Sequence, residues 1–180
     1  MPHSKLLTIS GSLRQASTNR LLLTEACRLF GPAVRIDANL TLPLYDGDLE
    51  DKGMPVSVQL LADQIAQADA VIIATPEYNK ALSGVLKNAL DWVSRTKAAP
   101  WRGKPVAILS AAAGRAGGER AQFSLRLCMV PFRANVLPGP EVMIADSGNA
   151  FDDTGQLKDA RTIKGLQELM DALRSAIHAK

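Results

Sequence analysis

The segment from residue 11 to residue 20 carries side chains that suit the binding of a phosphate group. The candidate hydrogen-bond donors to phosphate oxygens are Ser12, Arg14, Ser17, Thr18 and Asn19. An arginine adds positive charge and two parallel donors to such a set. A helix-like run begins at Leu21, and a helix N-terminus offers unpaired backbone N–H groups. The segment predicts an anion site, and a capped turn with solvated arginines is the alternative.

The glycine content of this segment limits the kind of phosphate it can hold. Gly11 is its only glycine, so the G-x-G-x-x-G pattern of dinucleotide-binding loops is absent, and so is a Walker A pattern. Asp37, near the end of the second predicted strand, is therefore a weak match to a ribose-binding acid. A terminal monophosphate, whose several oxygens need several donors, fits this segment better.

Two further segments follow strand-like runs and could lie beside the first. One places a tyrosine next to amide and backbone groups: Pro76, Glu77, Tyr78 and Asn79. It can border a flat, hydrogen-bonding ring, and a proline-initiated turn with an exposed tyrosine is the alternative. Residues 110–118 are small and rich in glycine. That composition lets the backbone approach a ligand closely, or simply makes the loop flexible.

The sequence offers no side chains that form a recognisable catalytic or metal-binding group. Its two histidines, His3 and His178, lie near the termini, so no Ser-His-Asp, Cys-His or metal-ligand cluster is visible. Cys27 and Cys128 lie in apolar helical patterns and are interpreted as small core residues. We therefore predict no metal and no catalytic side chain. A cofactor that supplies its own reactivity fits better than a hydrolase.

Strand-like and helix-like runs alternate along the chain. Strands are predicted near 5–10, 33–38, 69–75, 104–110 and 135–144, and helices near 18–30, 56–67, 83–95, 117–129 and 159–178. This alternation predicts an α/β fold with a five-stranded parallel sheet and helices on both faces. In the order 2-1-3-4-5, strands one and three flank the switch point, where ligands bind at the carboxyl ends. Ser83 is the predicted N-cap of the helix near 83–95, and Pro55 is predicted to lie in the first turn of the helix near 56–67. Residues 145–158 are predicted to form a polar surface loop.

Length and charge narrow the class of protein further. A chain of 180 residues predicts one domain covering 1–180. The net charge is only +3 and no basic run stands out, so no nucleic-acid partner is expected. No apolar stretch approaches the roughly 20 residues that a bilayer span requires. Residues 1–5 show no secretory pattern, so we expect a cytoplasmic protein with no membrane partner.

Three motifs together resemble the NAD(P)H-dependent FMN reductase family, the flavodoxin-like group that includes bacterial chromate and quinone reductases. They are Gly11-Ser12-Leu13-Arg14 through Asn19, Pro76-Glu77-Tyr78-Asn79, and Leu86-Lys87-Asn88-Ala89-Leu90-Asp91-Trp92. The resemblance runs over nearly the whole chain. It implies a flavodoxin-like three-layer sandwich that binds FMN non-covalently and uses NADPH or NADH as co-substrate.

By position, the resemblance implies which residues contact FMN. Contacts to the phosphate fall on Ser12, Arg14, Ser17 and Asn19. Contacts to the isoalloxazine ring, mostly through backbone groups, fall on Pro76, Glu77, Tyr78 and Asn79. The loop that contains Ala112, Gly114 and Gly117 would cover the other edge of the ring. The helix at 83–95 resembles the family's subunit interface, which implies a homodimer or homotetramer.

The function implied by the resemblance is a two-electron reduction. NAD(P)H would transfer hydride to flavin N5, and a quinone, free flavin, azo compound or chromate-like oxyanion would then take its place, in a ping-pong scheme. The alternatives are a flavodoxin-type electron carrier and a non-catalytic flavin redox sensor, although carriers are usually strongly acidic. Lys80 and Arg115 depart from the family's pattern. They either favour an anionic substrate or are solvated surface charges.

Overall fold

The computed structural model describes residues 4–179, and its centre is a parallel β-sheet. The strands are β1 (Ser4–Ser10), β2 (Ala33–Asp37), β3 (Ala70–Thr75), β4 (Pro105–Ala111), β5 (Asn135–Val136) and β6 (Val142–Ile144). Their order is β2-β1-β3-β4-β5, with β6 also paired to β4. The predicted flavodoxin-like order is confirmed, and β1 and β3 flank the switch point. His3 lies outside the described residues.

The prediction of one continuous strand over residues 135–144 is wrong. The structure has two short strands there, and both pair with β4. Pro138 and Pro140 lie between them. Because proline has no N–H and cannot donate to a sheet ladder, the pairing stops after Val136 and resumes at Val142.

Six α-helices connect and cover the strands in the described part of the chain. They are α1 (Thr18–Phe30), α2 (Gly47–Asp51), α3 (Val56–Gln67), α4 (Gly84–Ser94), α5 (Glu119–Met129) and α6 (Ala160–His178). Ser17 and Ser83 cap α1 and α4 with their side chains, whereas Pro55 is the residue just before α3 rather than part of its first turn. The short helix α2, which Asp46 caps, was not predicted. No helix within residues 4–179 has the length and apolar character of a membrane span.

The helices form one layer on each face of the sheet because strand side chains alternate in direction. Leu6, Ile72 and Leu109 face the layer of α1 and α6, and Leu7, Ile73 and Ile108 face the layer of α3, α4 and α5. Every residue of β3 and β4 is buried. The three-layer arrangement leaves the carboxyl edge of these strands as the place where loops meet.

The segment 145–158 is only partly the surface loop that the sequence predicts. Its charged residues are exposed, but Phe151 and Leu157 are buried in the core beside α6 and pair through an antiparallel bridge. Ser147 is also buried, at 6% exposure. The start of this segment is therefore held against the rest of the fold.

Candidate functional site

Three loops meet at the carboxyl edge of the sheet around a cavity of about 540 Å³. Nine predicted site residues line it: Ser12, Arg14, Ser17, Thr18, Asn19, Pro76, Glu77, Tyr78 and Ala112. Three others, Asn79, Gly114 and Gly117, are not among its lining residues. The structure thus brings the predicted phosphate segment and the predicted ring segment together in a space of ordinary ligand size.

The start of α1 supplies donors to one end of the cavity. The Ser17 hydroxyl accepts from Asn19 N at 3.2 Å, and no acidic residue lies in the first turn. The backbone N–H of Thr18 has no acceptor among residues 4–179. The Arg14 side chain is exposed and makes no hydrogen bond or ion pair with any other residue between 4 and 179. A free N–H, a free guanidinium and the positive end of a helix suit a bound phosphate.

Gly11 explains why the phosphate segment and the ring segment lie so close together. Its N–H donates to Ala74 O at 2.8 Å, which continues the pairing of β1 with β3. A Cβ at this position would lie 3.1 Å from Pro76 Cδ and 3.2 Å from Thr75 Cα. A larger residue would therefore force these neighbours to move by a few tenths of an ångström.

Asn19 has a structural role that was not predicted from the sequence. Its side chain is buried at 2% exposure, with Nδ2 donating to Ala111 O at 2.9 Å and Oδ1 accepting from Ala111 N at 3.0 Å. The pairing of β3 with β4 ends at Thr75 and Ser110, one residue earlier. The carboxamide therefore behaves like one more peptide group in the ladder and fixes α1 to the end of β4.

The ring segment folds into a tight turn and also caps a helix. Tyr78 and Ala81 exchange both backbone hydrogen bonds, and Asn79 and Lys80 lie between them with φ of 50° and 66°. Tyr78 is 51% exposed at the cavity edge.

The carboxylate of Glu77 accepts from Arg120 N at 3.1 Å and Ala121 N at 3.4 Å. It therefore caps α5, whose own N-cap residue, Gly118, has no side chain to do so.

The glycine-rich segment is held down on the sheet rather than spread over the cavity. The Ser110 hydroxyl donates to Gly117 O at 2.6 Å and accepts from Gln122 Nε2 at 2.9 Å. Gly117 and Gly118 have positive φ, which explains why α5 begins at Glu119, two residues later than predicted. This leaves Ala111, Ala112 and Ala113 as the part of the segment that borders the cavity.

Five lining residues lie outside the predicted set. Three are alanines of the predicted segments, Ala16, Ala111 and Ala113, and the other two, Ser147 and Gly148, belong to a segment that was not predicted to reach the site. Ser147 N donates to Ala112 O at 3.1 Å, and the Thr18 hydroxyl donates to Ser147 Oγ at 3.1 Å. These bonds bring the segment after β6 to the start of α1. The position of this polar segment just after the last strand was a usable signal, because all carboxyl ends of a parallel sheet share one edge.

Neither cysteine belongs to this site. Cys27 and Cys128 are free thiols of intermediate exposure, and burial raises the pKa of the Cys27 thiol. A raised pKa disfavours the reactive thiolate. Within the described residues, no group of three or more His, Cys, Asp or Glu residues is placed to hold a metal.

The sheet order, with a ligand-sized cavity at the switch point between β1 and β3, defines the flavodoxin-like class of proteins. A family model described as NADPH-dependent FMN reductase matches residues 4–149. The chain belongs to this family, and it is accordingly an enzyme with FMN as its cofactor.

Relatives of known name agree with this assignment. The chain is 46% identical over 172 residues to the NAD(P)H-dependent FMN reductase of Pseudomonas aeruginosa, covering 94% of this chain and 93% of the relative. It is 39% identical over 167 residues to the quinone reductase of Escherichia coli K12, covering 90% and 89%. The flavoenzyme NAD(P)H:(acceptor) oxidoreductase FerB from Paracoccus denitrificans superposes with a TM-score of 0.88 at 32% identity, covering 98% of both chains.

Proposed function

We propose that this enzyme transfers two electrons from NADPH or NADH, through FMN, to a small acceptor such as a quinone, free flavin, azo compound or chromate-like oxyanion. The single observation that carries the proposal is the cavity in which free donors at the start of α1 face the loops after β3 and β4. Relatives named FMN reductase and quinone reductase support the same reaction class.

The described residues fit FMN at both ends of the cavity. Arg14, Ser12 and the Thr18 N–H would hold the phosphate, and the backbone at 76–78 with Ala112 would border the ring. When bound, FMN supplies the redox chemistry, accepting a hydride from the nicotinamide and passing two electrons on. The protein's own task is to fix the orientation of the ring and to keep one of its faces open to substrates.

Donor and acceptor would use this open face in turn, as a ping-pong scheme requires. Tyr78, half exposed at the cavity edge, lies where a stacked substrate would enter. Among residues 4–179 the only histidine, His178, is at the end of α6, far along the chain from the site. No side-chain base is therefore assigned. Because the scheme is ping-pong, steady-state kinetics with both substrates varied should give parallel double-reciprocal lines.

Anaerobic stopped-flow mixing tests the proposed function directly. We expect the flavin absorbance of the FMN-loaded protein to bleach on mixing with NADPH or NADH, and to return when 1,4-benzoquinone is added. Free FMN at the same concentration is the control, because it lacks the protein's positioning of the nicotinamide. Absorbance that persists with both nucleotides, or bleaches no faster than free FMN, would contradict the proposal.

Arg14 provides a test of the phosphate site. Arg14→Ala is expected to weaken FMN binding by about 2 kcal/mol, roughly 30-fold in Kd, because it removes a charge-assisted hydrogen bond. The Kd of Arg14→Lys should lie between those of wild type and Arg14→Ala, because lysine keeps the charge but cannot donate two parallel hydrogen bonds. Quenching of FMN fluorescence measures Kd, and Arg161→Ala at the start of α6 is the matched control. An unchanged Kd in Arg14→Ala would place the phosphate elsewhere.

We also propose that the protein is a homodimer or homotetramer with α4 at the subunit contact. Pro43 O accepts from Asn88 Nδ2 at 2.9 Å and from Trp92 Nε1 at 2.8 Å, so the chain at 43 is fixed to α4. The next residue, Leu44, is 82% exposed. Sedimentation equilibrium should show an oligomer that Leu44→Asp weakens, and a monomer at micromolar concentration would contradict this.

A further inference from the structure

A second cavity, of about 610 Å³, lies at the opposite edge of the sheet from the FMN site. It is lined by the end of α4, by Cys128 of α5, and by residues 99–102 and 131–133. Residues 99–102 come just before β4, and residues 131–133 come just before β5. The lining residues of α4 and α5 are near the C-terminal ends of these helices, so the cavity lies at the amino ends of the strands. The seven residues of β4 separate the two edges by roughly 20 Å. Nothing in the proposed reaction uses this cavity.

The wall of the cavity is largely apolar and aromatic. Leu90 and Trp101 are 3% and 2% exposed, and the ring centroids of Trp101 and Phe132 are 6.2 Å apart with a 57° tilt. Gly103 N donates to Arg133 O at 2.9 Å, which ties the two lining loops together. A fixed wall with two aromatic rings favours a flat apolar ligand over a flexible chain.

Trp101 also has a polar group without a partner. Its indole Nε1 is buried and has no hydrogen-bond acceptor in the described part of the chain. The other tryptophan, Trp92, is satisfied, because its Nε1 donates to Pro43 O. Buried donors in native proteins are normally bonded. A ligand oxygen admitted beside the ring would provide the missing acceptor.

The charges at the rim favour an anion. Lys87 is paired with Asp91 at 2.6 Å, so these two side chains largely cancel. Arg102 and Arg133 are exposed, and within residues 4–179 neither guanidinium makes a hydrogen bond or an ion pair. Two free guanidinium groups beside a flat apolar wall match a carboxylate attached to an aromatic ring.

We propose that this cavity is a binding site for a small planar aromatic carboxylate, with its ring against Trp101 and Phe132 and its carboxylate at Arg102 and Arg133. Bound there, the ligand would contact α4 through Leu90, Asp91 and Ser94. The subunit contact proposed above involves Leu44, next to Pro43, which is bound to the other side of this helix by Asn88 and Trp92.

The two tryptophans allow a direct test with 2-naphthoate as the probe. In a ¹⁵N-labelled, FMN-loaded protein, the indole N–H resonance of Trp101 should shift saturably during the titration, and that of Trp92 should not. Trp101→Phe assigns the two resonances. The double variant Arg102→Gln, Arg133→Gln should raise the Kd at least about tenfold, because it removes the charged donors. The uncharged analogue 2-naphthalenemethanol should bind wild type at least about tenfold more weakly for the same reason.

Several outcomes would overturn the proposal. One is a Trp101 resonance that does not move at millimolar 2-naphthoate, whether the cavity is closed or covered by a second copy. Another is binding that perturbs the flavin absorbance alone, because that places the probe at the FMN site. A third is a Kd for 2-naphthoate that is the same in the double variant, in the matched control Arg161→Gln and in wild type. None of these outcomes depends on whether the proposed reductase reaction is correct.

Discussion

Replacement of Asn19 with leucine is expected to destabilise the protein by about 2–6 kcal/mol. Leucine has the same branch at Cγ but no polar atoms, so it would leave the N–H and the C=O of Ala111 buried without their present partners at 3.0 and 2.9 Å. Each orphaned group costs about 1–3 kcal/mol. Because β3 has already ended at Thr75, no neighbouring strand can take over these bonds.

Thermal and urea unfolding of the protein without FMN measure this effect. A loss of this size would lower the melting temperature by roughly 5–25 °C in a chain of this length. Asn39→Leu is the matched control, because Asn39 Oδ1 accepts only the local bond from Thr41 N in an exposed loop. If Asn19→Leu unfolded like wild type while binding FMN more weakly, Asn19 would act on the ligand and not on the sheet.

Asn19 also shows that an asparagine at a helix start can indicate either a ligand donor or a structural hydrogen-bond partner. An amide among hydroxyls at a helix start indicates a ligand donor, and the structure does place Asn19 beside the cavity. Its bonds to Ala111, 92 positions away, depend on how far β4 extends beyond β3. That extension is a property of the assembled sheet, and no local pattern contains it.

The sheet order was predictable because the most informative strands are buried on both faces. Residues 70–75 and 105–111 are apolar almost throughout, and each is followed by a helix with a clear period. The break between β5 and β6 was also readable in principle. Pro138 and Pro140 sit in the middle of that run, and proline cannot donate to a central ladder.

The site was less predictable where backbone geometry, not side-chain type, decides a residue's position. Pro76 and Tyr78 follow β3 directly, so their place at the cavity follows from the strand end. Gly114 and Gly117 look alike in sequence, yet the first is exposed and the second is buried against the end of β6. The difference arises from the positive φ of Gly117 and from β6, which approaches it only after the chain has crossed the sheet.

Gly117→Ala is therefore expected to be among the most damaging single substitutions, at about 3–5 kcal/mol. A Cβ there would lie 2.8 Å from the carbonyl carbon of Met143 and 3.0 Å from the N atoms of Ile144 and Ala145. All three are backbone atoms of β6 and its end, so no flexible side chain can move aside. The left-handed φ of 60° adds a penalty for any residue with a Cβ.

The consequence should extend from stability to the FMN site, because Gly117 O accepts the Ser110 hydroxyl at 2.6 Å and β4 ends next to Ala112. Unfolding experiments should show the loss of stability, and fluorescence titration should show weaker FMN binding in the same variant. Gly114→Ala separates this explanation from mere loop stiffening, since no heavy atom lies within 4 Å of its added Cβ. That control should stay within about 0.5 kcal/mol of wild type. Equal effects of the two substitutions would mean that the loop's flexibility matters and that its close packing on β6 does not.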